Sequence, residues 1–215
     1  MKKARMIVNI AMTVVLLCLM AYTLVGETAH EVLGTVMFIL FIIHHILNRK
    51  WFGAITKGRY NAFRILQTTL VFLMILSVLA SMVSGIMLSN KLYTFLPRVS
   101  GTSIARSVHM VCAYLNFILM SLHLGLHWNA MMSAMIKKRG NGLKVWILRI
   151  AAFGVAIYGI YAFVKRQIGE YLFLRTHFLF LDPSEPLILF FIDYVAIMGL
   201  FVFIGHYLAR LAKNR

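Results

Sequence analysis

Acidic residues are scarce in this sequence. Six Asp and Glu stand against 22 Lys and Arg among 215 residues, and only 13% of all residues are charged. A soluble domain needs far more charge to cover its surface, whereas 61% of this chain is hydrophobic, with a mean hydropathy of +0.85. The composition therefore excludes a soluble domain and predicts an integral membrane protein. The formal charge of +16 then reflects basic residues on cytoplasmic loops rather than nucleic-acid binding.

Cysteine is also rare, and the chain lacks the common catalytic signatures. Cys18 and Cys112 lie singly inside apolar segments, with no CxxC, CxxCH or zinc-ligand spacing. This excludes a disulfide framework, a zinc site built on cysteine and covalently attached haem, and it favours a role as small apolar filler. There is also no nucleophile triad, no Gly-rich phosphate loop and no pair of catalytic carboxylates.

Long apolar segments are what the sequence has instead. A membrane-spanning helix needs about 20 apolar residues, and six segments qualify, at approximately 6–25, 29–47, 64–88, 104–128, 145–164 and 187–209. They predict an all-α, polytopic bundle that forms a single domain over residues 1–215. The first segment is predicted to be an uncleaved helix, because no A-x-A site follows its long apolar run. The aromatic segment 165–186 is predicted to lie on the membrane surface or fold over the bundle.

The distribution of charge predicts the orientation. All but six of the 22 Lys and Arg lie at the termini or in the loops 48–64 and 137–149. All six acids, by contrast, fall toward the opposite side of the six spans. Because basic loops stay in the cytoplasm, both termini are predicted to be cytoplasmic. We call the side of the termini inner and the opposite side outer.

The histidines show a repeated spacing. Fourteen residues separate His30 from His44 on the second span, and fourteen separate His109 from His123 on the fourth. Fourteen helical steps return to within about 40° of the starting direction and cover about 21 Å. Both spans run from the outer to the inner side, so His30 meets His109 near the outer side and His44 meets His123 near the inner side. Two imidazoles at one depth suit the axial positions of a haem iron, so this pattern predicts two b-type haems.

Two further histidines fall outside this spacing. His45 lies next to His44, and His127 lies four residues after His123. They stay open as alternative ligands of the inner haem. Other histidines do not fit the pattern, and a buried histidine without a metal is usually just a hydrogen-bonded residue of the core.

Several small and charged residues are candidates to support a porphyrin. Gly34 follows His30 by four residues on the same helix face, where a missing side chain gives the ring room; Gly85 and Gly125 are similar, although small residues also serve ordinary helix packing. Arg106, one turn before His109, is a candidate partner for an outer propionate, and Arg49 for an inner one. The alternative for both arginines is ordinary charge at the membrane interface.

Asp193 is the acid that lies deepest in a span, about seven residues inside the sixth. An intramembrane carboxylate is a functional candidate by default. We expect Asp193 either to accept a proton when a quinol is oxidised or to bond to a neighbouring helix.

At "HEVLGTVMFILFIIHHILNRKW" and "SVHMVCAYLNFILMSLHLGLHW" the chain resembles the flavinylation-associated cytochrome family, and "FLDPSEPLILFFIDYVAIMGLFVFIGHYL" is similar to that family's C-terminal part. The 14-residue spacing also resembles the haem helices of respiratory cytochrome b. The resemblance implies transmembrane electron transfer with an extracytosolic partner that carries covalent flavin, and His30, His44, His109 and His123 as ligands. "VSGTSIA" lacks the order of a flavin-acceptor motif, which leaves the flavin to the partner.

The expected function is therefore electron transfer through two bis-histidine haems, between the membrane quinone pool and an extracytosolic flavoprotein. Quinol oxidation or quinone reduction would be its enzymatic aspect. Two alternatives stay open: a membrane anchor or assembly subunit whose haem is structural, and a histidine-lined metal or ion transporter. Metal transport would favour acids among the ligands, and the inner half of the bundle has none.

Overall fold

The structure, a computed structural model, describes residues 2–96, 101–135, 142–176 and 185–214. It is 84% helical and has no strand in the described ranges. The helices are α1 (Lys2–Met20), α2 (Tyr22–Val25), α3 (Glu27–Leu47), α4 (Arg49–Phe52), α5 (Ala62–Leu88), α6 (Thr102–Leu126), α7 (Trp128–Met135), α8 (Gly142–Lys165), α9 (Ile168–Leu172) and α10 (Leu187–Lys213).

Six of these helices are long and apolar enough to cross a membrane, which confirms the predicted all-α polytopic fold. The six are Lys3–Met20, Glu27–Leu47, Ala62–Leu88, Thr102–Leu126, Val145–Lys165 and Leu187–Lys213. Since the number of spans is even, both termini of the chain lie on the same side. Side chains that face outward along α8, such as Ile150 and Val164, are about two-thirds exposed, as expected for a helix that faces lipid.

The first span ends earlier than predicted. Helix α1 stops at Met20, a short α2 follows, and α3 begins after Gly26. Gly26 has φ +81°, a left-handed backbone conformation that glycine adopts without strain. The apolar run therefore continues to residue 25, but the straight helix ends at Met20, because Ala21 leaves the helical backbone conformation. Gly26 then ends α2, and the second span starts after it.

Helix α6 is the centre of the bundle and packs against α5 on one side and α10 on the other, while α10 also packs against α8. The crossing of α6 and α10 is very close at Gly125 and Gly205. A Cβ at Gly125 would overlap the backbone carbonyl of Val202, and one at Gly205 would overlap that of Leu122. Small residues at such crossings let membrane helices approach through their backbones.

The segment that follows α8 folds back over the outer end of the bundle. In α9, Ile168 is fully buried and Tyr171 is 3% exposed, and the Tyr171 ring stacks on Tyr114 of α6 with centroids 4.7 Å apart. The prediction that the segment after α8 folds over the bundle is thus confirmed for α9. Residues 177–184, which include His177, lie outside the described residues.

Helices α1 and α3 pair with each other on the remaining side of the bundle. Among the described residues, α3 and α6 are not a closely packed pair, although they carry the spaced histidines. The space between them is open toward the inner end, where it forms a cavity. This arrangement decides where the histidine side chains meet.

Candidate functional site

His30 and His109, which we call the outer pair, lie beside each other between α3 and α6. Their ring centroids are 6.1 Å apart and their planes are inclined by 73°. His30 also contacts the ring of Tyr22 edge to face, at 5.0 Å. The structure thus brings His30 and His109 together, as the equal spacing predicts, and their role as ligands stays a prediction.

The orientation of His109 is set by helix α5. Its Nδ1 lies 2.9 Å from the carbonyl oxygen of Ser81 and 3.3 Å from Ser84 Oγ. A carbonyl only accepts, so Nδ1 must carry the proton and donate it. The Nε2 lone pair of His109 is consequently free to bind a metal. Metal-binding histidines commonly donate their other ring N–H to a backbone carbonyl in this way, which sets the tautomer and the orientation of the ring.

Two glycines near the outer pair behave differently. A Cβ at Gly85 would lie 3.1 Å from His109 Cε1, so this glycine makes room for the imidazole itself. A Cβ at Gly34 would meet nothing within 4 Å, so close packing of helices does not account for the glycine there. Gly125, the third glycine considered for a porphyrin, lies in the crossing with α10 instead.

A carboxylate beside the outer pair holds the end of α5. Glu31, the neighbour of His30, accepts hydrogen bonds from Ser89 Oγ at 2.7 Å, from the backbone N–H of Asn90 at 2.9 Å and from that of Leu92 at 2.7 Å. One helical turn further, the Thr35 hydroxyl lies 2.8 Å from the Tyr93 hydroxyl. Helix α3 is thus fastened to the segment 89–93 next to His30.

The inner cavity lies between α1, α3, α5 and α6 and has a volume of about 590 Å³. Four histidines line it: His44, His45, His123 and His127. The structure therefore brings His44 and His123 to one cavity, as the equal spacing predicts, and it places both alternative ligands there too. Most of the remaining wall is apolar, with Met and Phe side chains, which is typical of a cofactor pocket.

The two histidines of α3 at this cavity are both held at Nδ1. His44 Nδ1 lies 3.0 Å from Asn9 Oδ1, and His45 Nδ1 lies 2.8 Å from the carbonyl of Phe41 in its own helix. Each therefore donates from Nδ1 and keeps a free Nε2 lone pair. The His45 ring also contacts the Phe41 ring at a tilt of 50°, with centroids 4.1 Å apart, whereas the partner of His44 comes from α1 across the cavity wall.

The two histidines near the end of α6 differ more clearly. His123 Nδ1 is buried without a hydrogen-bond partner among the described residues. His127 Nε2 lies 3.2 Å from the amide nitrogen of Gln67, which donates to it and so occupies the lone pair that a metal would need. Burial, followed by the charge of Lys213, lowers the pKa of His127 below its ordinary value of 6.5.

The arginine at the inner cavity is not the predicted one. Arg49 lies in α4, is exposed and does not belong to the cavity lining, whereas Arg5 of α1 does. On the outer side, Arg106 is exposed one turn before His109, as its sequence position predicts. Sequence reasoning missed Arg5, Asn9 and Gln67. The available signal was the presence of polar residues in α1 and α5, in particular Asn9, one turn after Arg5 in an apolar span.

Asp193 is 1% exposed and is fully engaged with neighbouring groups. It accepts hydrogen bonds from Tyr158 Oη at 2.6 Å, Lys165 Nζ at 2.8 Å and Arg166 Nε at 2.8 Å. These contacts connect α10 to the outer end of α8, which is the helix-linking alternative considered for Asp193. A carboxylate with three charged or hydroxyl donors is a poor acceptor for a quinol proton.

These features fit a haem with two histidine ligands. The two rings of the outer pair are close enough to hold one metal ion between them, with centroids 6.1 Å apart. Helices α3 and α6 leave space between them, and His30 Nδ1 and His123 Nδ1 are buried without a partner in the described part of the chain.

The described residues do not form a metal site from three or more His, Cys, Asp or Glu side chains. Haem iron needs only two protein ligands, because the porphyrin supplies four nitrogens. Comparison of the chain with protein-family models, with curated proteins and with solved structures finds no match, so the family resemblance stays a prediction.

Proposed function

We propose that this protein transfers electrons across a membrane through two b-type haems. His30 and His109 hold the outer one, and His44 and His123 hold the inner one. The observation that carries the proposal is the contact of His30 with His109 at one end of α3 and α6, together with the cavity that His44 and His123 both line at the other end. A chance arrangement of histidines has no reason to repeat one spacing on two helices and also to match in depth.

The protein's own groups prepare both sites. Ser81 fixes the tautomer and ring direction of His109, and Asn9 does the same for His44. Most of the wall of the inner cavity is apolar, which suits the face of a porphyrin ring. When bound, haem supplies one-electron redox chemistry, and two imidazole ligands leave its iron without an open position for a substrate.

The spacing of the two sites suits transfer across the bilayer. Fourteen residues of helix place the two ligand levels about 21 Å apart, which is most of the hydrocarbon thickness of about 30 Å. We assign the membrane quinone pool as one redox partner and an extracytosolic, flavin-carrying protein as the other, in a bacterial cytoplasmic membrane. The support for these partners is the resemblance of the histidine-bearing segments, and the quinone site stays unassigned.

The test is the haem content of the purified protein. We expect about two non-covalent haem b per chain by the pyridine haemochrome assay. His30→Ala and His109→Ala should each remove the same haem, and His44→Ala and His123→Ala the other. A content near zero in the native protein would reject the proposal.

A second measurement separates electron transfer from a structural haem. A menaquinol analogue should reduce both haems of the native protein. Reduction by dithionite but not by any quinol would instead favour an anchor or assembly subunit whose haem is structural.

A further inference from the structure

Arg5 lines the inner cavity, and one hydrogen-bond donor of its guanidinium has no partner among the described residues. Its Nη2 donates a hydrogen bond of 2.8 Å to the carbonyl of Leu47, at the end of α3. Its Nε, in contrast, is buried and has no partner among the described residues. The bond to Leu47 satisfies one free carbonyl of the last turn of α3 but leaves the positive charge uncompensated.

The inner half of the protein offers no acid to pair with Arg5. The five described acids all lie toward the outer side: Glu27, Glu31, Glu170, Glu185 and Asp193. No ion pair of Arg5 occurs in the described ranges, although Lys165 and Arg166 on the outer side each have two. A partly buried guanidinium without a counter-charge is costly, so its position makes physical sense when an anion arrives with a ligand.

We propose that Arg5 binds a carboxylate of the cofactor that occupies the inner cavity. The proposal rests on the proposed function, in which that cofactor is a haem with two propionates. A guanidinium presents a planar fork of donors that matches a carboxylate, and Arg5 already lines the cavity that contains His44 and His123. It therefore takes the role that the sequence suggested for Arg49.

The bond from Arg5 to Leu47 also allows a purely structural role, so the test needs a readout of the carboxylate itself. Purified holoprotein carrying haem with ¹³C-labelled propionates would be studied by redox-difference infrared spectroscopy and by spectroelectrochemical titration. The variants are Arg5→Gln, Arg5→Lys and, as a matched control, Arg49→Gln. The inner haem is identified as the one whose signal is lost in His123→Ala.

We expect Arg5→Gln to shift the labelled carboxylate bands and to lower the midpoint potential of the inner haem, since a nearby positive charge favours the reduced form. Arg5→Lys should keep most of the potential but still shift the bands, because an ammonium lacks the planar fork. Arg49→Gln should change neither. If Arg5→Gln does not fold, the band shift in Arg5→Lys alone decides.

Unchanged bands and potential in both Arg5 variants would overturn the proposal, and so would a band shift in Arg49→Gln alone. Lower thermal stability of Arg5→Gln with unchanged bands would assign Arg5 only to the bond with Leu47. A native protein without haem would reject the proposed function first, and that result is recognised separately by the haemochrome assay.

Discussion

At the scale of single residues, the helical spacing and the hydrogen bonds of the imidazoles together favour His44 and His123 over their neighbours as haem ligands. His127 Nε2 accepts a hydrogen bond from the Gln67 amide, and His45 lies one residue outside the 14-residue spacing, with its ring tilted against Phe41. We therefore expect His45→Ala and His127→Ala to retain two haems per chain in the haemochrome assay. The matched variants His44→Ala and His123→Ala should lose one. Loss of the inner haem in His127→Ala together with its retention in His123→Ala would show that α6 uses the other histidine.

Gly34 tests whether a ring lies beside the outer pair. A Cβ there meets no protein atom within 4 Å, so packing alone predicts that Gly34→Ala is harmless or stabilises the helix by up to about 1 kcal/mol. We expect instead that Gly34→Ala displaces or perturbs the outer haem, seen in its absorption bands, while the fold stays intact.

The control for this variant is Gly154→Ala. Gly154 also lies in a spanning helix, and a Cβ there again meets nothing within 4 Å, but it is on α8, away from the histidines. Its spectrum should match that of the native protein. Identical native spectra for Gly34→Ala and Gly154→Ala would remove Gly34 from the cofactor site.

The sequence could reveal those functional residues that recur at a regular spacing along a helix, and not the others. His30 and His109 were found because one helix repeats the spacing of another, and spacing along a helix fixes both face and depth. Ser81 acts through its backbone carbonyl, which has no sequence signature. Arg5 was missed because a cation beside the N-terminus of a first span is what the positive-inside rule predicts anyway.

At the scale of elements, Glu31 links α3, which carries His30, to the end of α5. Helix α5 in turn orients His109 through the carbonyl of Ser81. The Glu31 carboxylate accepts four hydrogen bonds from the segment 89–92, two of them at 2.7 Å. We expect Glu31→Gln to lower the stability by about 1–3 kcal/mol, because bonds to a charged acceptor are lost, and to broaden the bands of the outer haem. Thermal unfolding and low-temperature absorption spectra measure the two effects.

Glu27→Gln is the matched control, since among the described residues the Glu27 carboxylate accepts one hydrogen bond, from Asn90 Nδ2 at 2.8 Å. It should cost less stability and leave both haem spectra unchanged. Equal effects of the two variants, or a change confined to the inner haem, would contradict the role given to Glu31.

The contact between α8 and the start of α10 gives the protein a dependence on pH. Arg166 donates two hydrogen bonds to Glu185, at 2.6 and 2.7 Å, and they hold the pKa of Glu185 below its ordinary value of 4.5. A carboxyl whose pKa is lowered by folding stabilises the folded state above its unfolded pKa and loses that effect as the pH falls through the folded pKa.

We therefore expect Glu185→Gln to lower the free energy of unfolding at pH 7 by about 1–3 kcal/mol. The variant should accordingly unfold at a lower temperature than the native protein. The difference should shrink as the pH falls below 4.5. Thermal unfolding in detergent between pH 3 and about 7 measures it. A difference that stays constant over this range would exclude the Arg166 contact as its source.

Among the elements, the six spans were predictable because apolar length is a direct requirement of the bilayer. The end of α1 at Met20 was not, since residues 21–25 continue the apolar run and the helix is interrupted by the backbone conformation of Ala21. The close crossing at Gly125 and Gly205 was also beyond the sequence alone. A glycine in a span can make room for a cofactor or for a neighbouring helix. Only the three-dimensional position of the neighbouring helix shows which of the two applies.

At the scale of the whole molecule, the arrangement of charge and the arrangement of histidines are independent features that share one axis. The histidine pairs mark two depths along α3 and α6, and they would do so in either orientation of the protein. The charge decides which pair faces which compartment: the acids, with Glu31 beside His30, lie at one end, and Arg5, beside the inner cavity, lies at the other. Electron transfer to an outer partner requires the outer pair to face away from the cytoplasm.

The orientation of the chain in the membrane can be predicted from the distribution of its basic residues. All but six of the 22 Lys and Arg lie on the side of the termini, so both termini should be cytoplasmic. In a bacterial host, a fluorescent protein fused after residue 214 should be bright, and alkaline phosphatase fused after residue 92 should be active. Phosphatase fused after residue 57 is the control and should be inactive. The reverse pattern would leave the two ligand pairs intact but would direct the His30–His109 pair to the cytoplasm, and an extracytosolic partner would then have to meet the cavity at Arg5.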